Sequence, residues 1–210
     1  MSTIARHCLA MLLLAILLPH KSLADNTAEK SILVLGDSIS AAYGMHPSEG
    51  WVSLLEQRLQ SQGYSHYQVI NASISGNTSG DGISRLPLLL ENYRPDIIIV
   101  ELGGNDGLRG YPLKVMRNNL QAIIHLSQQA GAKVLLAGIE IPPNYGQRYT
   151  DAFRASYVSL AENNKLTFLP FILKGIATNP ALMQADQIHP TRQAQVIILD
   201  NVWPYLQTLL

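Results

Sequence analysis

The chain has 210 residues, 15 of them basic and 15 acidic, so its formal charge is zero, and 47% of it is hydrophobic. Without an excess of positive charge it has no electrostatic footprint for nucleic acid or for an anionic lipid surface. The single cysteine, Cys8, precedes every candidate strand and helix. Disulfides, thiol chemistry and thiolate-held zinc or iron–sulfur sites are therefore excluded from the rest of the chain.

The N-terminus reads as an export signal. Arg6 supplies a positive start, and Leu9 to Leu18 is an unbroken apolar run of ten residues. Ser22-Leu23-Ala24 is a small-x-small pattern suited to cleavage after Ala24. Ten apolar residues fall well short of the roughly 20 needed to span a bilayer, so a stable membrane anchor is not expected. The expected organisation is a signal peptide over 1–24 and one domain over 25–210, exported to the periplasm or secreted. Removing Arg6 and Lys21 with the signal leaves 13 basic against 15 acidic residues, a net charge of −2.

Downstream, short apolar runs alternate with stretches of helical spacing. Ile32 to Leu35, Ile97 to Val100 and Val134 to Ala137 are continuously apolar, as in strands covered on both faces. Val69-Ile70 and Thr167 to Leu169 are shorter candidates. Between them run the stripes Trp51, Leu54, Leu55, Leu59; then Met116, Leu120, Ile123, Ile124; then Phe153, Tyr157, Leu160. Ile83 to Leu90 has helical spacing with a helix-breaking Pro87 inside it, and a last helix is expected over Gln193 to Leu209. This alternation predicts a three-layer α/β sandwich, a flavodoxin-like parallel sheet of about five strands with helices on both faces. Ligands in such folds sit beyond the carboxyl ends of the strands. The polar segments there are Gly36-Asp37-Ser38, Ser75-Gly76-Asn77 and Gly103-Gly104-Asn105-Asp106.

A serine hydroxyl becomes a useful nucleophile only when a base takes its proton, and the base needs an orienting acid. Ser38 follows the first apolar run, in Gly-Asp-Ser-Ile-Ser rather than a Gly-x-Ser-x-Gly elbow. Asp186-Gln187-Ile188-His189 places a carboxylate three residues before an imidazole. A tight turn at that spacing brings the acid to one ring nitrogen and leaves the other for Ser38. Donors for a developing oxyanion are also needed. Gly76 offers an N–H that no side chain shields, Asn105 a neutral amide, and Ser38 its own N–H.

Taken together, Gly-Asp-Ser at 36–38, the glycine of Ala-Ser-Ile-Ser-Gly at 72–76, Gly-Gly-Asn-Asp at 103–106 and Asp-x-x-His at 186–189 resemble, in order, the four blocks of the SGNH (GDSL) hydrolases. Val100 to Gly110 and Pro143-Asn144-Tyr145-Gly146 are similar to the bacterial branch of that family that takes aryl esters, acyl thioesters and lysophospholipids. The resemblance implies Ser38 as nucleophile, His189 as base, Asp186 as orienting acid, and Ser38, Gly76 and Asn105 as the oxyanion hole. It also implies a mobile loop over Gly107 to Pro112, with Gly107, Leu108 and Arg109 at the substrate and Ile139 and Ile141 lining an apolar acyl pocket. Implied substrates are small acyl esters, thioesters or lysophospholipids, turned over by a monomer without a cofactor or metal. Ala185-Asp186-Gln187 departs from the family, which has an acidic pair and then glycine; the catalytic spacing survives, and the change bears on rate more than on reaction type.

The remaining polar residues have blander readings. Asp37 and Asp106 brace loop backbone, and Ser40 and Ser75 are turn hydroxyls. Arg109 and Glu101 either contact a substrate headgroup or pair with other charges, and the sequence leaves both open. His46, His66 and His125 lack metal-ligand spacing, and nucleotide-binding glycine motifs are missing. Two alternatives to this acyl esterase, arylesterase or thioesterase reading are a short-chain acetyl esterase acting on carbohydrate and a non-catalytic lipid- or carbohydrate-binding module on the same fold.

Overall fold

The computed structural model describes residues 29–210, so the expected export signal and its expected cleavage point lie outside the described residues. Five strands form one parallel sheet: β1 (Lys30–Gly36), β2 (Tyr67–Asn71), β3 (Ile97–Glu101), β4 (Lys133–Ala137) and β5 (Thr167–Leu169), in the order β2-β1-β3-β4-β5. Six helices connect or follow them: α1 (Trp51–Ser61), α2 (Ser79–Tyr93), α3 (Gly104–Leu108), α4 (Leu113–Gln129), α5 (Gln147–Asn164) and α6 (Gln195–Gln207).

The period-two geometry of a strand explains why these runs are apolar throughout. Ile32, Val34, Ile97 and Ile99 point to one face and meet α1 and α6 through Trp51, Leu55, Ile198 and Val202. Leu33, Leu35, Ile98 and Val100 point to the other, against Leu86 of α2, Leu120 and Ile123 of α4 and Phe153 of α5. Each fully buried aliphatic side chain contributes about 1.5–3 kcal/mol, so a strand wet on either face would forfeit much of that. The three-layer sandwich expected from the alternation is the one observed.

The edge strands explain the weaker patterns. In β2 only Tyr67 is fully buried, and β5 is three residues long with only Leu169 buried. Each pairs on one side alone, with β1 and β4 respectively, and needs less apolar cover. Helix α2 runs through Pro87 unbroken. Its start is secured by a reciprocal cap, in which Asp81 N–H donates to Thr78 Oγ1 at 3.2 Å and Thr78 N–H donates to Asp81 Oδ2 at 2.8 Å. The last helix is slightly shorter than expected, and α3 was not anticipated at all.

The chain enters the sheet at β1, adds β2 on one side, then returns to place β3 on the other. The loops leaving β1 and β3 therefore diverge, opening a crevice at the carboxyl end of the sheet. Gly36 lies opposite Glu101 in the ladder, so Ser38 and Asn105 leave neighbouring strand ends.

Candidate active site

Ser38 sits two residues beyond β1 in a tight turn, where Tyr43 N–H donates to Ser38 O at 3.1 Å and Ala41 N–H to Asp37 O at 2.9 Å. Its Oγ lies 2.8 Å from His189 Nε2, a contact between residues 151 apart in the chain. His189 Nδ1 lies 2.7 Å from Asp186 Oδ2. Asp186 Oδ1 accepts the N–H groups of Ile188 and His189, both at 3.0 Å. Partial desolvation raises this carboxyl, but the His189 and Ile188 hydrogen bonds overcome it and hold the group at about 2. Asp186 is thus a carboxylate throughout the neutral range, fixing the imidazole tautomer that presents a bare Nε2 to the serine. The Tyr43 ring lies over the imidazole with centroids 4.2 Å apart.

Behind the serine lies a buried acid pair. Glu101 and Asp37 are 0% and 3% exposed. Glu101 Oε2 accepts from Ser40 Oγ at 2.7 Å and from Asp37 N–H at 3.2 Å. Asp37 Oδ1 accepts from Ile39 N–H at 3.1 Å. Loss of water pushes Asp37 up to about 6, and burial followed by the Asp37 charge drives Glu101 well above its ordinary range. Of the two, Glu101 is the more deeply buried, and the charge on Asp37 adds to the burial that favours its neutral form. Glu101 Oε1 is buried and has no hydrogen-bond partner among the described residues. The open choice for Glu101 is settled: it pairs with loop groups beneath the surface and cannot reach a headgroup.

Gly76 and Asn105 are tied to this centre. Gly76 has φ +81°, and its carbonyl accepts from Arg109 Nη2 at 2.9 Å. Arg109 therefore braces the glycine loop in this state, where the family resemblance placed it at the substrate. Asn105 Nδ2 donates to Asp37 Oδ2 at 3.1 Å and to Asn77 O at 2.9 Å. Both amide hydrogens are engaged, so donation to an oxyanion requires one of these bonds to lengthen as charge develops. Gly103 starts α3 at φ +113°, and a side chain there would strike the Tyr157 hydroxyl. Asp106 accepts from Ser79 Oγ at 2.6 Å and Ser79 N–H at 2.8 Å, locking α3 to the start of α2. Asp37 and Asp106 thus brace loops, as their blander reading has it, and Ser40 serves Glu101.

The segment expected as a loop over the acyl site begins inside α3. Gly107 is buried, and a Cβ there would come within 2.8 Å of Ile141 and 2.6 Å of Phe153. Ile139 packs beside Gly104. Both isoleucines are buried in the cluster under α4 and α5, with Leu108 packed against its edge. In this state they form the floor beneath α3 rather than an open acyl channel. Tyr145 Oη donates to Leu108 O at 2.8 Å and Tyr149 Oη to Tyr111 O at 3.2 Å, fastening the segment from above. Tyr145 lies in the Pro143-Asn144-Tyr145-Gly146 string that carries part of the family resemblance, but the role of neither tyrosine is readable there, since each acts on a backbone carbonyl at least 37 residues away. Among the described residues no group of three acidic, histidine or cysteine side chains is arranged to hold a metal.

Residues 34–197 match the GDSL-like lipase/acylhydrolase model. The chain belongs to that family. The chain is 47% identical to the esterase TesA of Pseudomonas aeruginosa over 203 residues, covering 97% of this chain and 96% of that protein. It is 44% identical to the Escherichia coli protein named thioesterase 1/protease 1/lysophospholipase L1, over 87% of this chain and 86% of that one. The crystal structure of TesA superposes with a TM-score of 0.84 at 50% identity, covering 86% of this chain and all of that one. This GDSL-like hydrolase is accordingly an enzyme of the ester hydrolase class on the SGNH fold. No helix among its described residues is long and apolar enough to cross a membrane.

Proposed function

We propose that this protein is an exported serine esterase that cleaves carboxylic esters and thioesters of acyl chains through an acyl-Ser38 intermediate. The observation that carries the reading is the unbroken relay from Ser38 Oγ to His189 at 2.8 Å and on to Asp186 at 2.7 Å. As Ser38 Oγ bonds to the carbonyl carbon, His189 Nε2 takes its proton and Asp186 stabilises the imidazolium. The N–H groups of Ser38 and Gly76, which donate to no backbone carbonyl among the described residues, hold the oxyanion with Asn105. The tetrahedral centre then collapses, its C–O or C–S bond to the leaving group breaks, and His189 gives its proton to the departing alkoxide or thiolate. Water, deprotonated by the same nitrogen, releases the acid and restores Ser38. No step requires a cofactor.

Lysophospholipids and aryl esters suit an exported enzyme better than acyl-coenzyme A, and the E. coli relative's name pairs thioesterase with lysophospholipase. The intact relay also favours catalysis over a silent binding module. Purified protein lacking residues 1–24 is expected to hydrolyse p-nitrophenyl acyl esters and lysophosphatidylcholine, and a fluorophosphonate probe to label Ser38 alone. Ser38→Ala should remove turnover by at least about 10³-fold while leaving the circular dichroism spectrum unchanged. Retained turnover in that variant overturns the reading. Asn105→Ala should lower kcat by about 10²–10³ with little change in KM, since its bond strengthens only as charge develops. Export is tested separately: a mature protein from the periplasm or medium should begin at Asp25.

A further inference from the structure

The turn that carries Asp186 and His189 has little apolar packing to hold it in place. Ala185, Asp186, Gln187 and Ile188 are all exposed. Yet a proton relay tolerates little slack, and misplacement of a catalytic group by about 1 Å can slow a reaction about 10²-fold. Something other than burial must keep this turn against the Ser38 segment.

Besides the relay and the Tyr43 ring lying over the His189 imidazole, three polar side-chain contacts join the segment 36–51 to the segment 182–195. One is the Arg192–Glu49 ion pair at 3.2 Å, whose arginine is 71% exposed; pairs of that kind contribute little. The other two are glutamines on either side of His189. Gln184 Nε2 donates to Tyr43 O and to Pro190 O, both at 2.9 Å. Gln195 Oε1 accepts from Trp51 N–H at 3.1 Å, and its Nε2 donates to Thr191 O at 3.2 Å. Each carboxamide therefore bonds the nucleophile's segment with one contact and its own segment with the other.

We infer that Gln184 and Gln195 are positioning residues that clamp the His189 turn to the Ser38 segment and so set the serine–imidazole distance. Local geometry supports both clamps independently. Gln184 also closes the turn through its backbone, its N–H donating to His189 O at 2.7 Å and its carbonyl accepting from Gln187 N–H at 2.9 Å. Its side chain occupies a place left by Gly44, where a Cβ would come within 2.5 Å of Gln184 Oε1 and φ is +77°. Gln195 does for α1 what its own cap cannot. Gly50 precedes that helix and has no side chain to accept an N–H, so the Trp51 donor would be buried without a partner. The residue type matters: the two hydrogens of Gln184 Nε2 meet two carbonyls, a demand that a carboxylate of the same size cannot meet.

The inference rests on Ser38 and His189 acting as nucleophile and base, and its test is separable from theirs. Gln184→Glu and Gln184→Met keep the side-chain length and remove both donations. Each is expected to lower kcat and the rate of fluorophosphonate labelling by the same factor, about 10–100-fold. KM should stay within about twofold, and the fraction of protein labelled at the end point should remain complete. Gln195→Met should act in the same direction; because Gln195 is 1% exposed, the Gln184 variants decide the matter if it fails to fold. Arg192→Ala, which breaks only the surface ion pair, should stay within about twofold of the parent. The inference is overturned if both Gln184 variants keep kcat within twofold, if the loss lies in KM alone, or if the end-point labelling falls as far as the rate. Activity surviving Ser38→Ala would instead strike the serine-esterase reading and leave the glutamine contacts without a relay to serve.

Discussion

Ser38 stands on a loop whose polar groups are buried and satisfy one another, whereas Asp186 and His189 stand on a turn largely open to water. On the first side Asp37, Glu101, Ser79 and Asp106 are all at most 3% exposed and joined by bonds of 2.6–3.2 Å. On the second, the Asp186 side chain is 39% exposed and is held by its own turn's N–H groups. A buried polar group loses the full desolvation penalty when its partner is removed, while an exposed one recovers water. Changes on the Ser38 side should therefore lower stability and activity together. Changes on the turn should lower activity and leave the fold nearly intact.

The sharpest break between the two sides is expected at Asp106. Asp106→Ala strands the Ser79 N–H and hydroxyl in a dry site and should lower the unfolding free energy in urea by about 3 kcal/mol. A loss under about 1 kcal/mol would mean that α3 is anchored otherwise. Glu101 comes next. Glu101→Leu removes the acceptor of Ser40 and Asp37 N–H and should cost about 2 kcal/mol. Glu101→Gln keeps an acceptor oxygen for Ser40 Oγ and Asp37 N–H and removes the ionisable group, so at neutral pH it should match the parent.

The pH dependence tests the same pair. Glu101 is raised well above 4.5, and Asp37 from 3.8 to about 6. The stability these groups contribute is whole below those ordinary values and is lost as pH rises through the folded ones. The parent's melting temperature should thus fall as pH is raised from about 4 through about 6 and above, and that of Glu101→Gln should fall less. Identical slopes would show that the pair does not share a proton. The smallest effect belongs to the turn. Gln187 has φ +58°, a left-handed conformation that glycine adopts without strain. Gln187→Gly should raise the melting temperature by about 2–4 °C or less while kcat stays within about twofold. A drop in melting temperature would mean that the Gln187 side chain itself supports the turn.

Gln187 also shows how far the sequence could be read. Its departure from the family's glycine was visible in the string, but the positive φ that gives the change meaning is a property of the closed turn. The central strands were legible because Ile32 to Leu35 and Ile97 to Val100 are buried on both faces, and an uninterrupted apolar run has few other uses. Helix α3 was not, because Gly104-Asn105-Asp106-Gly107 is a sequence of turn formers. It is held helical by contacts from Ser79, Tyr145 and Tyr149, which are remote in sequence. Ile139 and Ile141 were recognisable as apolar, but whether they form a channel or a floor depends on how closely α3 approaches them.

What the sequence determined by itself is the local part of the problem. It fixed which segments are strands, which loops emerge at their carboxyl ends, and which residues have the chemistry for a relay, because hydrophobic period and short motifs act over a few residues. Tertiary structure alone decided the rest. It brought Ser38 to His189 across 151 residues, buried Glu101 beside Asp37 so that its carboxyl is driven upward, and placed Gln184 and Gln195 across the gap between two segments. Distance and desolvation are properties of the packed chain, and no local pattern encodes them.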